Sequence, residues 1–239
     1  MNMLKNLDGL GEQAINRIAT AALASQMRES ESFSVNVKVD PQELSKGIIS
    51  SFAMEGKNVV TSQGFRATDF SLLIENISVH PFKALMGNVQ LREPAFGNAL
   101  LEVGATDLED ALSRKLNGVI PQGFMIQTLS CGFDLPNVLQ VKVVLVEQST
   151  SDVHGLDARF VVGYDINQKA IAFQSSEYSE NRENFDRVFE SLGTTLLDLL
   201  NLNGLMFSGM EFSVKSIKLT DSALELMAIA KITSFPKAI

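Results

Sequence analysis

The sequence contains no tryptophan and is poor in cysteine, histidine and proline. Its 239 residues include 1 cysteine, 2 histidines and 6 prolines, and the 16 glycines follow no period. A single cysteine, Cys131, cannot form an intrachain disulfide, which favours a reducing compartment. Hydrophobic residues make up 45% and charged residues 20% of the chain. This composition excludes disordered and collagen-like proteins and predicts a soluble globular protein with a substantial core.

Positive charge is also scarce. The chain has 20 lysines and arginines against 28 aspartates and glutamates, which gives a formal net charge of -8. A nucleic-acid partner needs a basic surface that releases counterions from phosphates, so we expect no nucleic acid to bind. Simple electrostatic docking to anionic lipid is disfavoured for the same reason.

Long hydrophobic runs are absent. No stretch approaches the roughly 18 apolar residues of a membrane-spanning helix. Near the start of the chain, Asp8, Glu12 and Arg17 interrupt any apolar segment that could act as a secretory leader. We therefore expect a cytoplasmic protein without signal peptide or transmembrane segment, and at most peripheral to a membrane.

The hydrophobic pattern that is present predicts two long amphipathic helices and about ten strands. Apolar residues recur at helical spacing from Gly9 to Met27 and from Asn184 to Leu202. Period-2 alternation over Phe33–Val39 is typical of a half-buried strand. Further strands are predicted at Ile48–Met54, Phe70–Val79, Asn88–Leu91, Ala95–Val103, Phe124–Leu129, Val138–Val146, Ala158–Tyr164, Ala170–Gln174, Phe212–Leu219 and Ala223–Thr233.

Two strands change the phase of their apolar alternation. The change near Glu75-Asn76 predicts a bulge that inserts one residue, and another change occurs near Lys215-Ser216.

Between the halves of the chain, Thr106-Asp107-Leu108-Glu109 has the pattern of a capping box and predicts a short helix from about Asp107 to Leu116.

These elements predict an α+β fold in which a long, strongly curved antiparallel sheet wraps around the amphipathic helices. We expect a single domain over residues 1–239 with two loosely similar halves, at about 9–117 and 118–233. A helix gripped by a coiled sheet leaves either a packed core or an apolar tunnel, and the sequence does not separate these alternatives.

Catalytic and nucleotide-binding motifs find little support. Gly9-Leu10-Gly11-Glu12-Gln13-Ala14 matches a dinucleotide fingerprint, but no strand precedes it. A nucleophile elbow around Ser208-Gly209 would need glycine where Met206 stands. We therefore expect no catalytic residue and no cofactor.

The two histidines do not predict a metal site either. His80 precedes a proline and is interpreted as a turn residue. Asp152, His154 and Asp157 offer nitrogen and oxygen ligands, but their segment has ordinary loop composition and is interpreted as a solvated structural loop. Cys131 has no basic neighbour in sequence to lower its pKa, so an inert thiol is expected.

Two connections carry apolar side chains where a surface loop is expected. Phe82, Leu85 and Met86 occupy the first, and Leu205 and Met206 occupy the second. They could form a pocket mouth or dip into a bilayer, or they could simply cap the core.

Several stretches resemble a known family: Gly11–Asn16, Val35–Leu44 leading to Gly47, Val79–Asn88 and Thr106-Asp107-Leu108. In this order they resemble the LmeA-family phospholipid-binding domain over about Leu10 to Ile232. The resemblance implies phospholipid binding in an apolar site and a curved-sheet fold similar to tubular lipid-binding proteins. It brings no catalytic signature.

We therefore expect a non-catalytic protein that binds phospholipid or another acyl lipid, as a carrier or sensor with transient contact to a membrane surface. The acyl chains would lie between the sheet and the two helices, lined by Ile15, Ile18, Ala22, Phe189, Leu192, Leu196 and Phe207. The alternative is a protein-interaction or scaffold domain with a fully packed core and no lipid. A hydrolase acting on lipid lacks a recognisable nucleophile with its base.

Overall fold

The computed structural model describes residues 16, 19–61, 64–85, 89–120, 122–179, 183–202 and 207–235. The helices in this part of the chain are α1 (19–24), α2 (Pro41–Lys46), α3 (Pro81–Leu85), α4 (Ala105–Leu116) and α5 (Glu183–Leu200). The strands are β1 (Met27–Glu29), β2 (Ser32–Lys38), β3 (Ile48–Thr61), β4 (Arg66–Ser78), β5 (Ala95–Gly104), β6 (Phe124–Asp134), β7 (Val138–Glu147), β8 (Val153–Asp165), β9 (Ala170–Ser179), β10 (Met210–Leu219) and β11 (Ala223–Ile232).

The strands form two antiparallel sheets. The first has the order β1-β3-β4-β5-β11-β10, with β2 also paired to β3, and the second has the order β6-β7-β8-β9. This arrangement confirms the α+β class and the antiparallel pairing. The predicted single sheet is instead two, because β6 to β9 pair only with one another among the described strands, while the C-terminal β11 returns to pair with β5.

Helix α4 connects the two sheets. It packs against β4 and β5 of the first sheet, against β6 of the second, and against α5. Helix α5 also packs on β9, and β10 contacts β8 and β9 where the sheets adjoin. Buried residues from both sheets, α1, α4 and α5 belong to one continuous apolar core.

The two predicted phase changes have different structural causes. In β10, the register with β11 shifts between Val214 and Ser216, so Lys215 is an inserted residue and the change is confirmed. In β4, Asn76 has a left-handed φ of 54°, but the pairing with β3 keeps the same register on both sides. The expected insertion there is wrong, because β3 and β4 change phase together.

Two further expectations are wrong in detail. Helix α1 ends at residue 24, and Met27 lies in β1. The strand expected at Asn88–Leu91 is a single bridge between Val79 and Leu91, preceded by the unforeseen α3; Asn88 is outside the described residues.

Helix α4 is present where predicted, but the proposed capping box is not. The helix begins after the N-cap residue Gly104, so Thr106 is already inside its first turn. Asp107 instead accepts a hydrogen bond from Thr68 at 3.1 Å and faces the Arg66 guanidinium at 3.4 Å. A carboxylate at this position also interacts favourably with the N-terminal end of the helix dipole.

Candidate functional site

Helix α1 lies along the free edge of β2. The amide oxygen of Asn16 accepts the Val37 backbone N–H at 2.7 Å, and the Thr20 hydroxyl oxygen accepts the Val35 N–H at 3.0 Å. The two acceptors thus serve alternate residues of β2, which are about 6.7 Å apart along the strand. The side chains of Asn16 and of Thr20 in α1 thus take the place of a neighbouring strand.

The side chains of α1 that face the core are mostly small. Among residues 19–24, Leu23 is the one large apolar side chain, and only 1% of it is exposed. Ala22 is half-buried, whereas Ala21 is exposed. The inner face of the first sheet, by contrast, presents large buried side chains: Val35, Val37, Phe52, Met54, Phe70 and Leu72.

The end of α1 is tied to the segment that precedes β10. The Gln26 side-chain oxygen accepts the Ser208 backbone N–H at 2.6 Å. Next to it, Phe207 is buried and stacks on Phe70 at a centroid distance of 5.8 Å, with Phe212 in edge contact at 6.2 Å. Phe207 therefore belongs to the first sheet and lies near the end of α1.

The predicted residues on α5 belong to the second sheet. Leu192 and Leu196 are fully buried, and Phe189 stacks on Phe160 of β8 at 5.3 Å with nearly parallel rings. Tyr178 packs on the same Phe189 ring at 4.7 Å, and its hydroxyl donates a hydrogen bond to Asp186. These contacts fill the space between α5 and β8–β9 with aromatic side chains.

The predicted lipid-lining residues are thus divided between two places. Ala22 and Phe207 lie with the first sheet, and Phe189, Leu192 and Leu196 lie with the second. Ile15 and Ile18 are outside the described residues. Of the predicted membrane-contact residues, Phe82 is 83% exposed on α3, while the side chain of Leu85, together with Met86, Leu205 and Met206, falls outside the description.

The outer face of the first sheet carries a cleft that the sequence did not predict. Its volume is about 580 Å³, and one row of its lining crosses four paired strands: Lys57, Asp69, Glu102 and Glu225. Leu100, which also lines the cleft, and Leu73, Phe96 and Met227 on the same sheet are each between 45% and 60% exposed. Apolar residues on both faces of β5 and β11 are the sequence signal for this patch.

The surroundings of Cys131 make its thiol unreactive. Burial, with the nearby Glu109 carboxylate adding to the effect, raises the pKa of the Cys131 thiol far above its usual range. The same carboxylate accepts the Cys131 backbone N–H at 2.9 Å. Because the thiolate is the nucleophile, this environment agrees with the expected inert thiol.

None of the described helices is long and apolar enough to cross a membrane.

The chain matches the LmeA-like phospholipid-binding family over residues 7–229. The protein therefore belongs to this family, as its motifs indicated. Comparison with curated proteins and with solved structures gives no match.

Proposed function

We propose that the protein binds phospholipid without catalysing a reaction on it, as a carrier or sensor. The observation that carries this proposal is the match to a phospholipid-binding family over residues 7–229, which covers α1 to α5, β1 to β10 and most of β11. The acyl chains would lie in an apolar layer. The sheets would curve around this layer on one side, and helices α1 and α5 would cover it on the other. Burying each methylene group contributes about 0.8 kcal/mol, so part of a diacyl tail is sufficient for useful affinity.

The α1 side of this layer is the better place for an acyl chain. Within residues 19–24, Leu23 is the one large side chain packed against the core, with the small Ala19 beside it, while Asn16 and Thr20 hold the helix from its polar side. A chain lying beneath Ala22 would contact the large apolar side chains of the first sheet. Phe207, stacked on Phe70, would close this space at the end of α1.

The α5 side is filled more tightly. A Cβ atom placed on Gly193 would lie 3.4 Å from the Phe173 ring and 3.6 Å from the Phe160 ring. An acyl chain there would have to displace Phe189 from Phe160 and expose Leu192 or Leu196. We therefore propose α1 as the primary site and the α5 layer as the place for additional acyl length.

Native mass spectrometry of gently purified protein, followed by solvent extraction of the released lipid, tests the proposal. The expected result is one phospholipid per chain, restored after delipidation by incubation with phosphatidylcholine or phosphatidylethanolamine vesicles. A bare protein mass that persists after this incubation contradicts it.

The alternative function, a protein-interaction domain, draws support from the exposed patch of Leu73, Phe96, Leu100 and Met227. Contiguous exposed apolar side chains are typical of interaction surfaces. The same spectra distinguish the two functions, because a stable protein complex without lipid would favour the alternative.

A further inference from the structure

The hairpin between β7 and β8 brings three metal-ligating side chains together. Glu147 ends β7, Asp152 lies in the turn, and His154 is the second residue of β8. One ligand atom from each side chain lies within 4.8 Å of the other two. Backbone pairing fixes this arrangement, since Val146 faces Val153 and the Glu147 N–H donates to the Asp152 carbonyl at 2.9 Å.

His154 is the unusual member of the group. Its side chain is only 10% exposed, and the ring stands in edge contact with Phe124 at 6.2 Å and Phe185 at 5.6 Å. Its Nε2 atom lies 3.8 Å from a Glu147 carboxylate oxygen, so the imidazole ring and the carboxylate face each other. Imidazole nitrogen and carboxylate oxygen are both common ligands of transition-metal ions, and here they face each other across a short gap.

The Glu147 carboxylate is held in place by the turn that follows it. The Ser149 hydroxyl donates to one carboxylate oxygen at 2.9 Å, and the Thr150 hydroxyl donates to the other at 3.2 Å. Outer hydrogen bonds of this kind orient ligating carboxylates in metal sites. Asp152 is exposed in the turn and has room to rotate toward the other two side chains.

We propose that Glu147, Asp152 and His154 bind a divalent transition-metal ion of the Zn²⁺ class. One imidazole nitrogen with two carboxylate oxygens suits such an ion, whereas Mg²⁺ and Ca²⁺ prefer oxygen ligands alone. Zinc–ligand distances of about 2.0–2.2 Å require the ligand atoms to close to roughly 3.4 Å from one another, which rotation of Asp152 allows. Two carboxylates neutralise the charge of the ion.

The ion would have a structural effect on the packing of α5. His154 contacts Phe185 in the first turns of α5, so fixing the imidazole fixes this ring contact between the second sheet and the helix. We expect added Zn²⁺ to raise the thermal unfolding temperature. This inference does not depend on lipid binding.

The structure supplies a matched control on the same hairpin. Asp157, which the sequence offered as a third ligand beside Asp152 and His154, instead pairs with Lys142 at 3.7 Å and is not part of the group. Asp152→Asn and Asp157→Asn remove the same charge from two partly or fully exposed aspartates a few residues apart. Only Asp152→Asn removes a proposed ligand.

The test uses the full chain without an affinity tag, after treatment with a chelator. The protein is titrated with Co²⁺ while visible absorption is recorded. A second titration with Zn²⁺ is followed by calorimetry. We expect one ion per chain, with affinity lowered at least tenfold by Asp152→Asn and by His154→Gln and unchanged by Asp157→Asn. Because Asp152 is exposed, its variant reports on binding even if His154→Gln fails to fold.

Two results would overturn the proposal. One is an equal loss of affinity in Asp152→Asn and Asp157→Asn, which would indicate general attraction to surface charge. The other is the absence of a Zn²⁺-induced shift in the His154 imidazole resonances, which can be separated from those of His80, the other histidine in the chain.

Discussion

The Thr20 hydroxyl oxygen lies 3.0 Å from the Val35 backbone nitrogen and closes the free edge of β2. Thr20→Val keeps the shape of the side chain but leaves a partly buried N–H without an acceptor. We expect it to lower the free energy of unfolding by about 1–3 kcal/mol, measured by urea denaturation. Thr20→Ser keeps the acceptor and should remain close to wild type. Equal stability of the two variants would show that the contact is unimportant.

Two glycines should respond to alanine in opposite directions. In α5, a Cβ on Gly193 finds ordinary contact distances of 3.4 Å and above, so Gly193→Ala should raise the free energy of unfolding by about 0.5–1 kcal/mol through helix propensity. In β5, a Cβ on Gly97 would lie 2.3 Å from the Leu73 carbonyl oxygen. Gly97→Ala should therefore destabilise by about 1–3 kcal/mol. Destabilisation by both variants would contradict the packing described for α5.

Cys131 should react slowly with thiol reagents at mildly alkaline pH. An ordinary thiol is half ionised near about pH 8.5, whereas burial and the Glu109 carboxylate keep the pKa of Cys131 well above that value. The folded state therefore holds this proton longer than the unfolded state, and its contribution to stability declines as the pH rises above about 8.5.

The check on Cys131 is the rate of reaction with a disulfide reagent at pH 8.5. We expect the folded protein to react at less than a tenth of the rate of protein unfolded in urea. Glu109→Gln should speed the reaction modestly, because burial remains the larger cause. Similar rates for folded and unfolded protein would refute this assignment.

Phe82 should take part in contact with membranes if the proposed lipid exchange occurs at a bilayer. Its side chain is 83% exposed on α3, and Phe82→Ala should weaken co-sedimentation with phosphatidylcholine vesicles severalfold. Ile166, 79% exposed in the turn after β8, gives a matched control in Ile166→Ala. Equal losses for both variants would argue against a specific role of α3.

The sequence predicted the helices and strands well where the spacing of apolar residues agreed with the chemistry of the side chains between them. The alternation over Phe33–Val39 and the arc containing Leu192 and Leu196 correspond to β2 and α5, since each pattern is sustained over several turns or residues. The insertion at Lys215 was visible for the same reason.

Long-range pairing was less accessible from the sequence. Strands β3 and β4 change phase at facing positions, and a single strand's pattern cannot distinguish this from an inserted residue. The division into two sheets depends on β11 returning to β5, a pairing between residues more than a hundred positions apart.

The candidate site shows the same limits. The helical arc of α5 correctly indicated that Leu192 faces inward, but the pattern did not show that α1 and α5 pack on different sheets. Asp152 and His154 were recognised as metal-ligating residue types, whereas Glu147 was missed because it belongs to the preceding strand and meets them only across the hairpin.

The most direct test of lipid binding beneath α1 compares Ala22→Phe with Ala21→Phe in native mass spectrometry after incubation with phospholipid vesicles. Ala22 is half-buried and Ala21 is exposed, so we expect the same added ring to fill the proposed space in the first variant only. We predict that Ala22→Phe loses most of the bound phospholipid and that Ala21→Phe keeps it. Equal lipid occupancy in both folded variants would contradict an acyl-chain site beneath this helix.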